Sequence, residues 1–159
     1  MQRTYLMLKP GYATKEIIME VLKRAAEAGL VLVDCGFIQH TKESAAQHYS
    51  NKLGEPYYPE LEEYITSGKS FGMVFEGEDA VKIGRILIGA VEGGPQKGSI
   101  RHDIPEMFNV KTDKTRNVIH ASDSAENAEK EIGIFKDLRK DYKEEHPTLV
   151  LKHGNTFIR

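Results

Sequence analysis

The segment Asn117-Val118-Ile119-His120-Ala121-Ser122-Asp123-Ser124 closes a short apolar run on a histidine and leads into a helix start. Backbone N–H groups exposed at such a start favour anions. An imidazole with an unperturbed pKa of roughly 6.5 is largely neutral and nucleophilic near pH 7, which suits a phosphoryl acceptor. Only one ring nitrogen attacks. The other needs a partner that fixes the tautomer and steadies the developing positive charge. Glu131, on the helix that follows, is the candidate partner. A plainer reading stands beside each: His120 as a satisfied core histidine, and Glu131 as a solvated helix carboxylate.

Phosphoryl transfer is mainly positioning plus neutralisation of charge on phosphate oxygens, work for Arg and Lys. Three cations are candidates: Lys9 at a strand end before Pro10-Gly11, Arg85 within the apolar helical stretch Val81–Ile88, and Arg101 after Gly98-Ser99-Ile100. Each alone is as well read as a surface charge, Arg85 least so because its neighbours are Ile and Leu. Tyr49, Tyr57 and Tyr58 crowd around Lys52–Pro56. Aromatic faces there stack on a nucleobase or pack a short helix onto the core. No P-loop glycine pattern and no dinucleotide fingerprint is present, so any nucleotide is held by another architecture.

These residues need elements to carry them. Tyr5–Leu8 reads as a strand entering a turn at Lys9-Pro10-Gly11. Thr14 caps a helix whose Ile17, Ile18, Val21, Leu22, Ala25 and Ala26 share a face, stopped by Gly29. Leu30–Gln39 is a second strand, Thr41 caps a helix to about Tyr49, and Pro56–Ser67 holds another with Leu61 and Ile65 on one side. Phe71–Glu76 is a third strand. Glu78–Ile88 is a helix with Val81, Ile86 and Leu87 inward, and Gly89–Thr115 is mostly loop, too long to be idle. Asn117–Ala121 is a fourth strand, and Asp123 with Glu126 caps a helix to about Leu138. The order predicts an α+β sandwich of ferredoxin-like βαββαβ topology, with a four-stranded antiparallel sheet covered by helices.

The 159 residues suit one domain, with residues 1–135 as its catalytic part and 136–159 as a charged helix or tail extension of the same domain. Twenty-two basic and 24 acidic residues leave a net charge of -2, which calls for neither a nucleic-acid nor a membrane partner. Cys35 is the single cysteine, so no intrachain disulfide forms, and its apolar setting reads as a small buried hydrophobe. The N-terminal apolar stretch ends at Lys9-Pro10, too short for a signal peptide or a span, and the expectation is a cytoplasmic protein.

Taken together, the chain resembles nucleoside diphosphate kinases from about Arg3 to Phe135. The resemblance is carried by Asn117–Ser124 and Ala128-Glu129-Lys130-Glu131-Ile132. Supporting matches are Leu8-Lys9-Pro10, Gln47-His48-Tyr49, Pro56–Leu61, Gly84-Arg85 and Gly98-Ser99-Ile100-Arg101. It implies that His120 is phosphorylated in a ping-pong reaction, taking the γ-phosphoryl of a nucleoside triphosphate and passing it to a diphosphate. It implies that Lys9, Tyr49, Arg85, Arg101 and Asn117 contact phosphate and ribose, and that Tyr57 stacks on the base beside Leu61. Ser122 and Glu131 would orient the histidine. Mg²⁺ would arrive as the nucleotide's companion, and the protein would be a homo-oligomer, a hexamer or a tetramer of dimers.

The chain departs from the family in several places. Gly11-Tyr12 replace an acidic residue and a small one after Lys-Pro, which is expected to loosen the turn that places Lys9. Val91 stands where a threonine phosphate contact is usual. The Gly89–Ser99 loop is about one residue short, and Pro105–Thr115 is extra material, expected near the site entrance. Two competitors follow from these features: an inactive nucleotide-binding scaffold, and an RNA-binding sandwich, for which no aromatic strand motif is visible.

Overall fold

A computed structural model describes residues 1–91 and 93–142, together with the backbone of two short paired strands, β5 (Leu149–Val150) and β6 (Phe157–Ile158). The rest of the 136–159 extension lies outside the described residues. β1 (Gln2–Leu8) pairs antiparallel with β3 (Ser70–Gly77) and with β4 (Ile119–Ala121), and β2 (Val31–Ile38) pairs antiparallel with β3. The order β2-β3-β1-β4 is that of the expected ferredoxin-like sheet.

Both faces of the sheet are covered, which is why β1 and β3 are buried almost throughout instead of alternating. Thr4 and Leu6 face α4 (Ala80–Ile88), against which α1 (Lys15–Glu27) also packs. Tyr5 faces α6 (Ala125–Asp141), its ring 5.5 Å from Phe135. α2 (Lys42–His48) lies beside α6, followed by a 3-10 turn at Ser50–Lys52 and by α3 (Tyr58–Ile65). Since side chains alternate along a strand and paired residues share a face, the pair Met7↔His120 puts His120 on the α6 side. Ile119 and Ala121 turn toward α4.

Several expectations are corrected. Of the inward positions expected on α4, Val81 is buried and Leu87 packs partly buried against the core, but Ile86 is 67% exposed; Ala80, Gly84 and Ile88 complete the inward face, with Gly84 approaching Leu6 and Thr4. Ala26 of α1 is exposed. Gly89–Thr115 is mostly loop, but within it Ile100–Phe108 forms α5, with Ile100 and Ile104 buried one turn apart. Pro105 inside it forfeits an intrahelical bond, which masks the helix in the sequence. The residue capping α6 is Ser124, whose hydroxyl accepts from Asn127 N–H at 3.0 Å; Asp123 instead accepts from the Asn127 side chain.

The turn after β1 is built differently from the expectation of a loosened one. Tyr12 N–H donates to Lys9 C=O at 3.0 Å, with Pro10 and Gly11 between them. Gly11 has φ 90°, so Pro-Gly fills the two central positions in the manner of a type II turn, where a residue with a side chain is strained. Tyr64 Oη donates to Pro10 C=O at 2.7 Å and pins the turn to α3.

Candidate active site

His120 is held by the residue types that its sequence context offered. Its Nε2 lies 2.9 Å from Glu131 Oε1, and Ser122 Oγ donates to the same oxygen at 2.6 Å. Ser122 in turn accepts from Tyr5 N–H at 3.1 Å, tying the trio to the sheet. Burial holds the Glu131 carboxyl above its usual range. Burial, and then the charges of Lys9, Arg101 and Arg85, push the His120 pKa down to about 3. A neutral imidazole beside a carboxylate places its proton on Nε2, which leaves the Nδ1 lone pair unprotonated. The ring is boxed edge-on by His48 at 4.5 Å and Tyr49 at 6.1 Å between centroids, with Tyr5 tilted against it at 6.4 Å.

The backbone before His120 is strained. Ile119 N–H donates to Asn117 C=O at 3.0 Å, closing a three-residue turn centred on Val118 at φ 80°. A β-branched residue in that region is a genuine outlier. Such strain persists only when surrounding contacts over-determine it, and it concentrates at functional sites. Here Val118 is fully buried and its carbonyl accepts from Lys9 N–H at 3.0 Å.

Three cations gather with no carboxylate in ion-pair contact among the described residues. Arg85 Nη1 donates to Ala121 C=O at 3.2 Å, on the strand that carries His120. Arg101 donates to Gly89 C=O and Ile119 C=O, both at 2.8 Å, and its Nε is buried with no partner. Lys9 Nζ donates to Asn117 Oδ1 at 2.7 Å and reaches Thr115 C=O at 3.4 Å. Among the described residues no ion pair joins Lys9, Arg85 or Arg101 to a carboxylate. Burial, then the neighbouring Arg101, lowers the Lys9 pKa to about 7; burial, then Arg85, lowers that of Arg101 to about 10. Tyr49 Oη is likewise buried without a partner.

His120, Glu131, Tyr49 and Arg85 line one cavity of about 200 Å³, shared with His48, Asp123 and Lys130. Lys9 and Arg101 act on His120 from outside that lining. Tyr57 and Leu61 do not line it: Tyr57 is 44% exposed just before α3, and Leu61 is buried in that helix. Val91 is exposed. Sequence reasoning missed His48, whose buried Nε2 has no partner, although it was visible in Gln47-His48-Tyr49.

His48, His120 and Glu131 bring ligand atoms within 4.8 Å of one another. Two imidazoles and one carboxylate do not suit Mg²⁺, which prefers oxygen. Asp123 is the other carboxylate lining the cavity, too little for an all-protein magnesium site but in keeping with an ion carried on phosphates.

A family model described as nucleoside diphosphate kinase matches residues 2–140. A nucleoside diphosphate kinase of Staphylococcus aureus (strain JH9) is 42% identical over 138 residues, covering 85% of this chain and 87% of the relative. Among solved structures, the apo nucleoside diphosphate kinase of Encephalitozoon cuniculi superposes with a TM-score of 0.76 at 37% identity, covering 85% of this chain and 88% of that one. A nucleoside diphosphate kinase family protein from Babesia bovis gives 0.73 at 36% identity, with the same coverage of 85% and 88%.

Proposed function

The chain belongs to the nucleoside diphosphate kinase family, and we propose that it moves the γ-phosphoryl of a nucleoside triphosphate to a nucleoside diphosphate by way of phospho-His120. The observation that carries this mechanism is the neutral, Glu131-bound imidazole with an unprotonated Nδ1 beside three cations that, among the described residues, form no ion pair with a carboxylate.

In the first half-reaction Nδ1 attacks the γ-phosphorus. An N–P bond forms as the bond from phosphorus to the bridging oxygen breaks, and the diphosphate leaves with that electron pair. The imidazole becomes cationic, and Glu131 steadies it through Nε2–H, with Ser122 fixing the carboxylate. A second diphosphate attacks the phosphorus and restores neutral His120. Lys9, Arg85 and Arg101 neutralise phosphate oxygens, Tyr49 Oη supplies a further donor, and Asn117 orients Lys9 and contacts the ribose. A cavity of about 200 Å³ accepts a phosphate chain but not a whole nucleotide. The base therefore lies outside it, against exposed Tyr57 and next to Leu61, where stacking tolerates any base. Mg²⁺ bound to the phosphates would neutralise further charge, with Asp123 as the second carboxylate lining the cavity.

Two further readings belong to the proposal. The protein self-associates, as a hexamer or a tetramer of dimers, supported by the edge position of β2 with Val31 and Val33 exposed. It works in the cytoplasm; among the described residues no helix is long and apolar enough to cross a membrane.

The test is to incubate the protein with ATP and Mg²⁺ without acceptor and to look for acid-labile phosphate on His120 by intact mass and peptide mapping. Phosphate that moves to added GDP, and that is lost in His120→Asn, supports the mechanism. Nucleotide binding without phosphoenzyme would replace it with the inactive scaffold.

A further inference from the structure

We infer that Tyr12 is a positioning residue for Lys9, acting through the loop that joins α5 to β4; the inference rests on the phosphate-binding role proposed for Lys9. Tyr12 is 5% exposed, and its hydroxyl lies between two carbonyls, Lys111 O at 2.6 Å and Arg116 O at 3.1 Å. One phenolic proton is shared between two acceptors five residues apart, so the side chain clasps both ends of the loop.

Among the described residues, the loop carries both hydrogen-bond acceptors of the Lys9 side chain. Its two acceptors are Thr115 C=O and Asn117 Oδ1, and Asn117 is itself held by its Nδ2 donating to Lys114 C=O at 2.8 Å. Within the loop, Asp113 Oδ1 accepts from the N–H groups of Thr115 at 2.8 Å and Arg116 at 2.7 Å. Arg116 also sits 5.0 Å over the ring of Tyr64, whose hydroxyl holds Pro10. Tyr12 closes the circuit, because its own N–H donates to Lys9 C=O. The backbone of Lys9 is thus tied to Tyr12 directly, and its ammonium is tied to Tyr12 by way of residues 111–117.

Lys9 is buried with an alkyl stem of four carbons, so without fixed acceptors its ammonium samples several rotamers. A phosphate contact made by a wandering ammonium first costs the entropy of ordering it. The Tyr12 clasp removes that cost before the nucleotide arrives. It also accounts for Gly11-Tyr12 and the 105–115 segment occurring together: the tyrosine supplies the hydrogen bonds that hold the second half of that segment against the turn.

The experiment is a double-mutant cycle on kcat/KM of the nucleoside triphosphate half-reaction, with thermal midpoints measured alongside. Tyr12→Phe keeps the ring and removes only the hydroxyl. The expected result is a loss of about fivefold in the wild-type background and less than about twofold in the Lys9→Ala background. A neutral Tyr12→Phe, or an undiminished effect in the Lys9→Ala background, would overturn the inference. Asp113→Ala loosens the same loop from within and is read against Lys9→Ala in the same way, so a poorly folding Tyr12→Phe does not end the test. If Lys9→Ala alone leaves the rate unchanged, both this inference and the role of Lys9 fall, while phosphate on His120 would still stand.

Discussion

The chemistry of His120 turns on which of its nitrogens carries a proton and how firmly. Burial and the three nearby cations disfavour imidazolium, so in the free protein the ring stays neutral well below the ordinary histidine range. A ¹⁵N titration of His120 should therefore show no inflection near pH 6.5 and one near pH 3, while Lys9→Ala or Arg101→Ala should move it upward. An inflection near 6.5 in the wild type would mean that neither burial nor the cations hold the ring neutral. Glu131 is the complementary case. Glu131→Gln keeps an oxygen near Nε2 but removes the charge that answers the imidazolium formed on phosphorylation. The difference between a charged and a neutral hydrogen bond is about 1.4 kcal/mol, so kcat should fall about tenfold with little change in KM. A rise in KM with kcat unchanged would place Glu131 in binding instead. Both residues were legible in the sequence because the chemistry proposed for them calls for an imidazole at the end of the strand and a carboxylate on the helix that follows. The γ-turn at Val118 was not, because strain is a property of φ and ψ and no residue type announces it.

Elements decide whether these residues meet. α6 carries Glu131 and is seated on the sheet through Phe135, directly over Gly72 of β3. A Cβ added at Gly72 would come within 2.5 Å of Phe135 and 2.6 Å of the Tyr5 hydroxyl. Gly72→Ala should therefore push α6 off the sheet, lower stability by about 1–3 kcal/mol as overpacking does, and slow phosphorylation by moving Glu131. Urea unfolding and the half-reaction rate check the two effects; a stable protein with normal rate would show that α6 is seated elsewhere. Gly11→Ala is the contrasting glycine, since its Cβ would meet nothing within 4 Å. Its cost is purely that of φ 90°, about 1 kcal/mol. Element identity was readable where periodicity and caps agree, as at Thr14 and Thr41, whose hydroxyls accept from Ile17 and Ser44 N–H. It was not readable at α5, where Pro105 and flanking glycines signal a loop but Ile100 and Ile104 have a core to enter. The inward face of α4 was readable only in part: Val81 was, but Ile86 was misplaced, because a glycine faces the sheet there and a hydrophobic pattern does not register glycine.

At the scale of the whole molecule, α6 carries structure past Phe135 into the charged extension. α6 runs on to Asp141, Leu138 and Tyr142 pack against the core, and Arg139 Nη1 donates to Phe37 C=O at 2.7 Å. We propose that the structural unit extends to Tyr142, so a chain cut after Phe135 should be markedly less stable than one cut after Tyr142. Equal thermal midpoints would restore the earlier boundary. The same core holds three histidines in neutral form. Burial, and then His120, lowers His40 to about pKa 4; burial foremost also takes His48 well below its ordinary value and His120 to about 3. Between those values and about 6.5 the unfolded chain binds protons that the native protein does not, so stability rises with pH across that interval. Glu131 opposes it, because a carboxyl raised by burial keeps a proton in the native state that the unfolded chain has lost. With three groups against one, the net slope stays positive. Urea midpoints measured from pH 4.5 to 7 should therefore climb. His40→Gln, which removes one buried imidazole outside the catalytic contacts, should flatten the slope by up to about 1.4 kcal/mol per pH unit. An unchanged slope in that variant would show that His40 takes up its proton without cost, and that the buried histidines do not set the acid limit of the fold.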